Sequence, residues 1–131
     1  IVGSRKFIDR CHRFRKMFGG GMRQAGVLAA AGLYALENHI DRMAEDHSRA
    51  RALAEAIGAV EGIQVDLDAV KTNMVYIDVS GTGMEAATVV EKLAEQGVSL
   101  TAVDATRLRA VLHLGIDDAG VHRAIEAFNN L

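Results

Sequence analysis

The residues of this chain best suited to chemistry lie in two places, and both are shaped to bind anions. The first is Gly19-Gly20-Gly21-Met22-Arg23, with Lys16 just upstream. Glycines in series pack nothing and cost backbone entropy, so such a run marks a sharp turn or a close backbone approach. A helical pattern opens directly after it, which would set unpaired N–H groups and a positive dipole end beside Arg23 and Lys16. One reading is an anion site at a Gly-rich helix start. The other is a tight helix–helix turn with solvated charges; the run is neither a Walker A nor a dinucleotide fingerprint. The second place is RLRAVLHL, residues 107–114. Strand alternation sends Leu108, Ala110, Leu112 and Leu114 to one face and Arg107, Arg109, Val111 and His113 to the other. The first set is a core face. The second holds two guanidinium groups, the side chain best matched to a carboxylate by paired hydrogen bonds. Arg107 or Arg109 is therefore a candidate carboxylate clamp, or else both are surface arginines neutralised by Asp104, Asp117 or Asp118.

Reaction centres are missing. There is no Ser/His/Asp set, no metal-ligand cluster and no carboxylate pair placed for acid–base work. His39 and His47 lie on the polar side of their helices and read as surface residues, and His113 as a satisfied strand histidine. The one cysteine, Cys11, excludes an internal disulfide and fits a reducing, cytoplasmic compartment; no sequence context marks it as a nucleophile.

The elements that must position these residues follow from periodicity. Residues 4–17 predict a helix with Phe7, Ile8, Cys11 and Phe14 at three- and four-residue spacing and Ser4 as N-cap. A second helix is expected over residues 22–39, and its stretch 25–36 contains no charge over twelve positions. That is too short to span a bilayer, so a helix apolar on every side predicts covering protein on every side. Residues 41–57 predict an amphipathic helix that starts at Asp41 and ends at Gly58. Strands follow at 63–68, 74–79, 98–103 and 107–114, with helices at 84–96 and, capped by Asp117, at the C-terminal end. The expected class is α/β, an α+β small domain in β-β-α-β-β-α order preceded by helices, with residues 1–40 as linking helices and 41–131 as the small domain.

Charge is unevenly spread. Residues 1–24 carry seven basic side chains against the single acid Asp9, whereas the rest of the chain holds 8 basic and 16 acidic residues. A cationic arm over residues 5–23 raises an alternative reading, a nucleic-acid-binding or interaction module. Few aromatics and no groove-reading motif argue against nucleic acid. The first residues show no signal-peptide pattern, and we read the chain as a segment of a longer protein.

The run FRKMFGGGMRQAGVLAAAGLYALENHIDRMAEDH, residues 14–47, resembles the bacterial low-specificity L-threonine aldolases, which are pyridoxal-phosphate enzymes of the aspartate-aminotransferase fold. The likeness continues through Lys71-Thr72-Asn73-Met74-Val75 and Arg109-Ala110-Val111-Leu112-His113-Leu114. It implies a lyase that splits threonine and related β-hydroxy-α-amino acids into glycine and an aldehyde, with pyridoxal phosphate as electron sink. It also implies a homo-oligomer, a dimer of dimers, and a large cofactor domain upstream that carries the cofactor-binding lysine, so that the segment alone is inactive. By the same resemblance Arg109 binds the substrate α-carboxylate, Arg23 reaches the cofactor phosphate and Lys16 lies near that site. The sequence departs from the family in having Ala110-Val111-Leu112 where a threonine usually precedes the histidine.

Overall fold

The computed structural model describes all 131 residues, which form two compact units, Ile1–Ile40 and Asp41–Leu131. In the first unit, α1 spans Arg5–Met17, and the Ser4 hydroxyl accepts the Phe7 N–H at 3.4 Å. The glycine run terminates α1. The Gly20 N–H reaches back to the Arg15 carbonyl at 2.8 Å and the Gly19 N–H to that of Lys16 at 3.3 Å, with Gly19 at φ +80°. These two bonds make a Schellman cap, which needs a left-handed residue where glycine alone is unstrained. The second helix, α2, covers Gly26–Asn38 and not the expected 22–39, because Arg23 and Gln24 stay in a turn and Gln24 itself has φ 51°. No residue of either helix is buried, and Val27, Leu28, Leu33, Tyr34 and Leu36 are all well exposed.

The second unit contains α3 (Met43–Ile57), β1 (Met74–Asp78), α4 (Ala86–Glu95), β2 (Thr101–Ala102), β3 (Arg107–Val111) and α5 (Asp118–Asn129). The sheet is antiparallel in the order β1-β3-β2. Alternation sorts its faces: Val75, Ile77, Leu108 and Ala110 are buried with Leu53, Ile57, Leu93 and Phe128 from the helices. Met74, Tyr76, Arg107 and Val111 are exposed on the other face. The α/β class with helices ahead of a small sheet is what the periodicity predicts, but the sheet has three strands where four were expected: 63–68 forms no strand, 98–103 is cut to two residues, and 107–114 ends at Val111, leaving Leu114 exposed.

Of the strand expected at 63–68 only the Gln64–Asp78 bridge forms. Just beyond it the Asp66 carboxylate accepts the Asp68 N–H at 3.0 Å and winds residues Leu67–Ala69 into a 3-10 turn. The strand expected at 98–103 begins only at Thr101. There the Val98 N–H is spent on the Leu93 carbonyl at 2.9 Å, closing a second Schellman cap on α4 with Gly97 at φ +77°. The start of α3 also differs: Arg42, not Asp41, occupies the cap position, and Met43 in the first turn is exposed. No helix is long and apolar enough to cross a membrane.

Candidate anion-binding site

The central strand β3 decides between the two arginines. In the ladder Arg109 stands opposite Tyr76 of β1 and Thr101 of β2, so these three residues form a row across the open face. Met74 and Val111, paired with each other, lie beside that row and leave an apolar margin. Arg107 pairs with Asp78 in the register, yet its guanidinium is held by Asp104: Nε and Nη2 both reach Oδ2 at 2.7 Å. The Asp104 carboxylate also accepts the Thr106 and Arg107 N–H groups at 3.0 and 2.9 Å. The Arg107 guanidinium, aided by those amides, holds Asp104 below the usual carboxylate range, and Asp104 in turn raises Arg107. Arg107 is therefore neutralised, as the surface reading expected.

Arg109 is not. The other two acids that could neutralise it are committed elsewhere. Asp118 takes the Arg49 Nε at 2.7 Å, tying α5 to α3, and Asp117 caps α5 by accepting the Gly120 N–H at 2.8 Å. Arg109 is half-buried, its Nε is shielded from water, and that Nε has no hydrogen-bond partner. Buried donors are almost always satisfied, and one left open in a fork built for two carboxylate oxygens points to an anion as its missing partner. The flanks of this strand are well anchored. The Asn73 side-chain amide donates to the Leu112 carbonyl at 2.6 Å, while the Leu112 N–H returns to the Asn73 carbonyl at 2.8 Å, which prolongs the β1–β3 pairing past Val111. Sequence reasoning assigned Asn73 no such part; an amide residue directly before a strong strand was the signal available.

His113, expected in the strand, lies past the end of β3 and is exposed; its Nδ1 accepts the Gly115 N–H at 3.0 Å. His39 and His47 are partly exposed, and His39 meets the Tyr34 ring edge-on at 5.4 Å. No group of three His, Cys, Asp or Glu side chains is placed to hold a metal ion, and Cys11 is a free thiol. The one buried charge is Asp46, which receives two bonds from Arg42 at 2.7 and 3.0 Å. Hydrogen bonding by Arg42, with Arg49 and His113 nearby, lowers its carboxyl below the ordinary range.

In the first unit, the glycine turn brings Lys16 back over its own cap. A Cβ built on Gly21 would meet Lys16 Cδ at 2.9 Å and Nζ at 3.3 Å, so the ammonium lies against the bare backbone of the turn. Arg23 is exposed in the next turn, residues 23–25, which leads into α2, and neither cation is in an ion pair. The α2 N-terminus that follows has no side-chain cap. An unpaired cation just before an uncapped helix start, with a second on the glycine turn, is a donor set of the kind that suits a phosphate. Both readings of the glycines thus describe the same turn: a helix cap first, with cations gathered around it.

Residues 1–80 match the family model described as beta-eliminating lyase. The chain is 40% identical over 129 residues to low-specificity L-threonine aldolase 1 of Arabidopsis thaliana, an alignment that covers 98% of this chain and 36% of that protein. It is also 40% identical over 116 residues to the low specificity L-threonine aldolase of Escherichia coli strain K12, with coverage of 88% and 33%. A third relative is alanine racemase TOXG of Cochliobolus carbonum, 30% identical over 138 residues and covering 100% and 34%. The chain spans about a third of the length of the curated relatives it matches.

Proposed function

This chain belongs to the beta-eliminating lyase family, and from that membership we propose that it is the C-terminal part of a pyridoxal-phosphate-dependent threonine aldolase. The whole enzyme splits L-threonine, L-allo-threonine and related β-hydroxy-α-amino acids into glycine and an aldehyde. The observation that carries this reading is Arg109, a strand arginine with a shielded, unbonded Nε on an open sheet face, set apart from an Arg107 that Asp104 has already neutralised. Names of relatives that are threonine aldolases support it from a second side.

Arg109 receives the α-carboxylate of the amino acid through its fork, which fixes the orientation of Cα and of the Cα–Cβ bond to be broken. Tyr76 and Thr101 border that contact on either side, and the Met74–Val111 pair keeps one margin of the face apolar. Lys16 and Arg23 hold the cofactor phosphate at the glycine turn. Pyridoxal phosphate, when bound, supplies the sink for the electron pair that Cα keeps as the aldehyde leaves. The lysine that carries the cofactor belongs to the large domain upstream of residues 1–40, and residues 41–131 form the small domain. Without that lysine the 131-residue chain is inactive. The apolar α2 is covered in an assembly of identical subunits, a dimer of dimers in a cytoplasmic compartment, and this accords with its exposed Val27, Leu28, Leu33 and Leu36.

The test uses the full-length polypeptide that contains this sequence. Arg109→Lys is expected to raise KM for threonine at least tenfold while cofactor affinity is unchanged. Arg23→Ala is expected to weaken cofactor binding and to leave KM for threonine near its original value at saturating cofactor. Equal kinetics for Arg109→Lys and the parent would overturn the assignment.

A further inference from the structure

Behind the strand that carries Arg109, on the helix-covered side of the sheet, the core of the second unit is incomplete. A cavity of about 140 Å³ lies between β3, α5 and the 97–100 segment. Its walls include Leu53, Val98, Ala110, Leu112, Val121 and Ala124. Five of these retain 2–8% exposure, whereas nearly every other core residue is at 0–1%. Solvent therefore reaches the walls of this space from outside. A space of this volume matches an apolar cavity that accepts a benzene-sized molecule.

The rim differs in kind from the walls. Arg123 and Ser99 line the opening, and neither makes an ion pair or a hydrogen bond within the chain. The stem of Arg123 lies beside Gly97, where a Cβ would meet its Cδ at 3.9 Å. An apolar pocket for one ring or branched chain thus carries an unpaired cation at its mouth. We propose that this cavity is a binding site for a small amphiphile, a benzene-sized apolar body bearing one carboxylate. The body covers apolar walls that solvent otherwise reaches, and the carboxylate meets Arg123 with Ser99 as a second donor.

Benzoate and benzyl alcohol, alike in size and unlike in charge, are titrated into the protein while amide resonances are followed. Saturable shifts confined to residues 97–100 and 120–124, with benzoate binding several-fold more tightly than the alcohol, are expected. Arg123→Gln is expected to bring the two affinities together. Ala124→Leu fills the space and is expected to abolish both; Ala110→Val serves the same purpose if the first variant does not fold. The proposal is overturned by shifts that do not saturate or that fall elsewhere on the surface. It is equally overturned by benzoate preference that survives Arg123→Gln, or by binding that survives either filled variant.

Discussion

Replacing Arg109 with methionine is expected to make the ligand-free chain more stable while destroying its carboxylate site. Arg109 Nε is shielded and has no partner, and an unsatisfied buried donor costs about 1–3 kcal/mol. Methionine keeps an unbranched apolar stem against Tyr76 and Thr101, which face Arg109 across the ladder, and brings no donor. Since Arg109 is only half-buried, the low end of that range applies, a gain of about 1 kcal/mol. With a urea slope of about 1.5 kcal/mol per molar, the unfolding midpoint rises by about 0.7 M. Circular dichroism in urea reads this directly, with Arg107→Met as the contrast. Arg107 donates to Asp104 through Nε, and its removal strands that carboxylate, so its midpoint is expected to fall. A lower midpoint for Arg109→Met would mean that Arg109 holds the fold together, and the case for an open anion site would fail with it.

Three other outcomes follow from the same structure. Asp46 has a carboxyl lowered mainly by its hydrogen bonds from Arg42, so its contribution is present above the ordinary aspartate range and lost as pH falls below about 4. Asp46→Asn is expected to flatten the acid side of the stability–pH curve relative to the parent; an unchanged acid limb in denaturation series from pH 6 to about 2.5 would refute this. Gly97→Ala is expected to cost about 1–2 kcal/mol in chemical denaturation, because φ is +77° and the nearest foreign atom lies at 3.9 Å, which makes backbone strain and not crowding the cause. Asp117→Ala removes the Gly120 N–H acceptor at 2.8 Å and is expected to lower stability by about 1 kcal/mol, while Asp117→Asn largely preserves it.

Much of the second unit was legible from residue order, because the forces involved are local. Asp117 as a helix cap works through a bond within a few residues, as Ser4 does in the first unit. Alternation at Leu108, Ala110 and Leu112 named the core face of β3, since a strand cannot turn one of these inward without turning them all, but Leu114, expected in the same set, lies past the strand end and is exposed. The same alternation brought Arg107 and Arg109 forward together. It went no further, since both arginines occupy the same kind of position.

What separated them was tertiary placement. Asp104 folds back on Arg107 through a turn, and Asp118 is drawn off by Arg49, sixty-nine residues away in the chain, when α3 and α5 pack together. Spacing along a sequence carries no record of which carboxylate a distant guanidinium will capture. The lost strand at 63–68 has a similar origin, a local Asp66 bond winning over a ladder with one available partner. The cavity behind β3 was also beyond periodicity, which says that Ala110, Leu112 and Val121 face inward and nothing about whether their volumes fill the space between them. Residue order thus determined the elements, their buried faces and two arginine candidates. Only the folded chain decided which arginine is free and where the core stays open: a local turn closes Asp104 onto Arg107, packing of α3 on α5 draws Asp118 to Arg49, and the cavity walls come from segments far apart in the sequence.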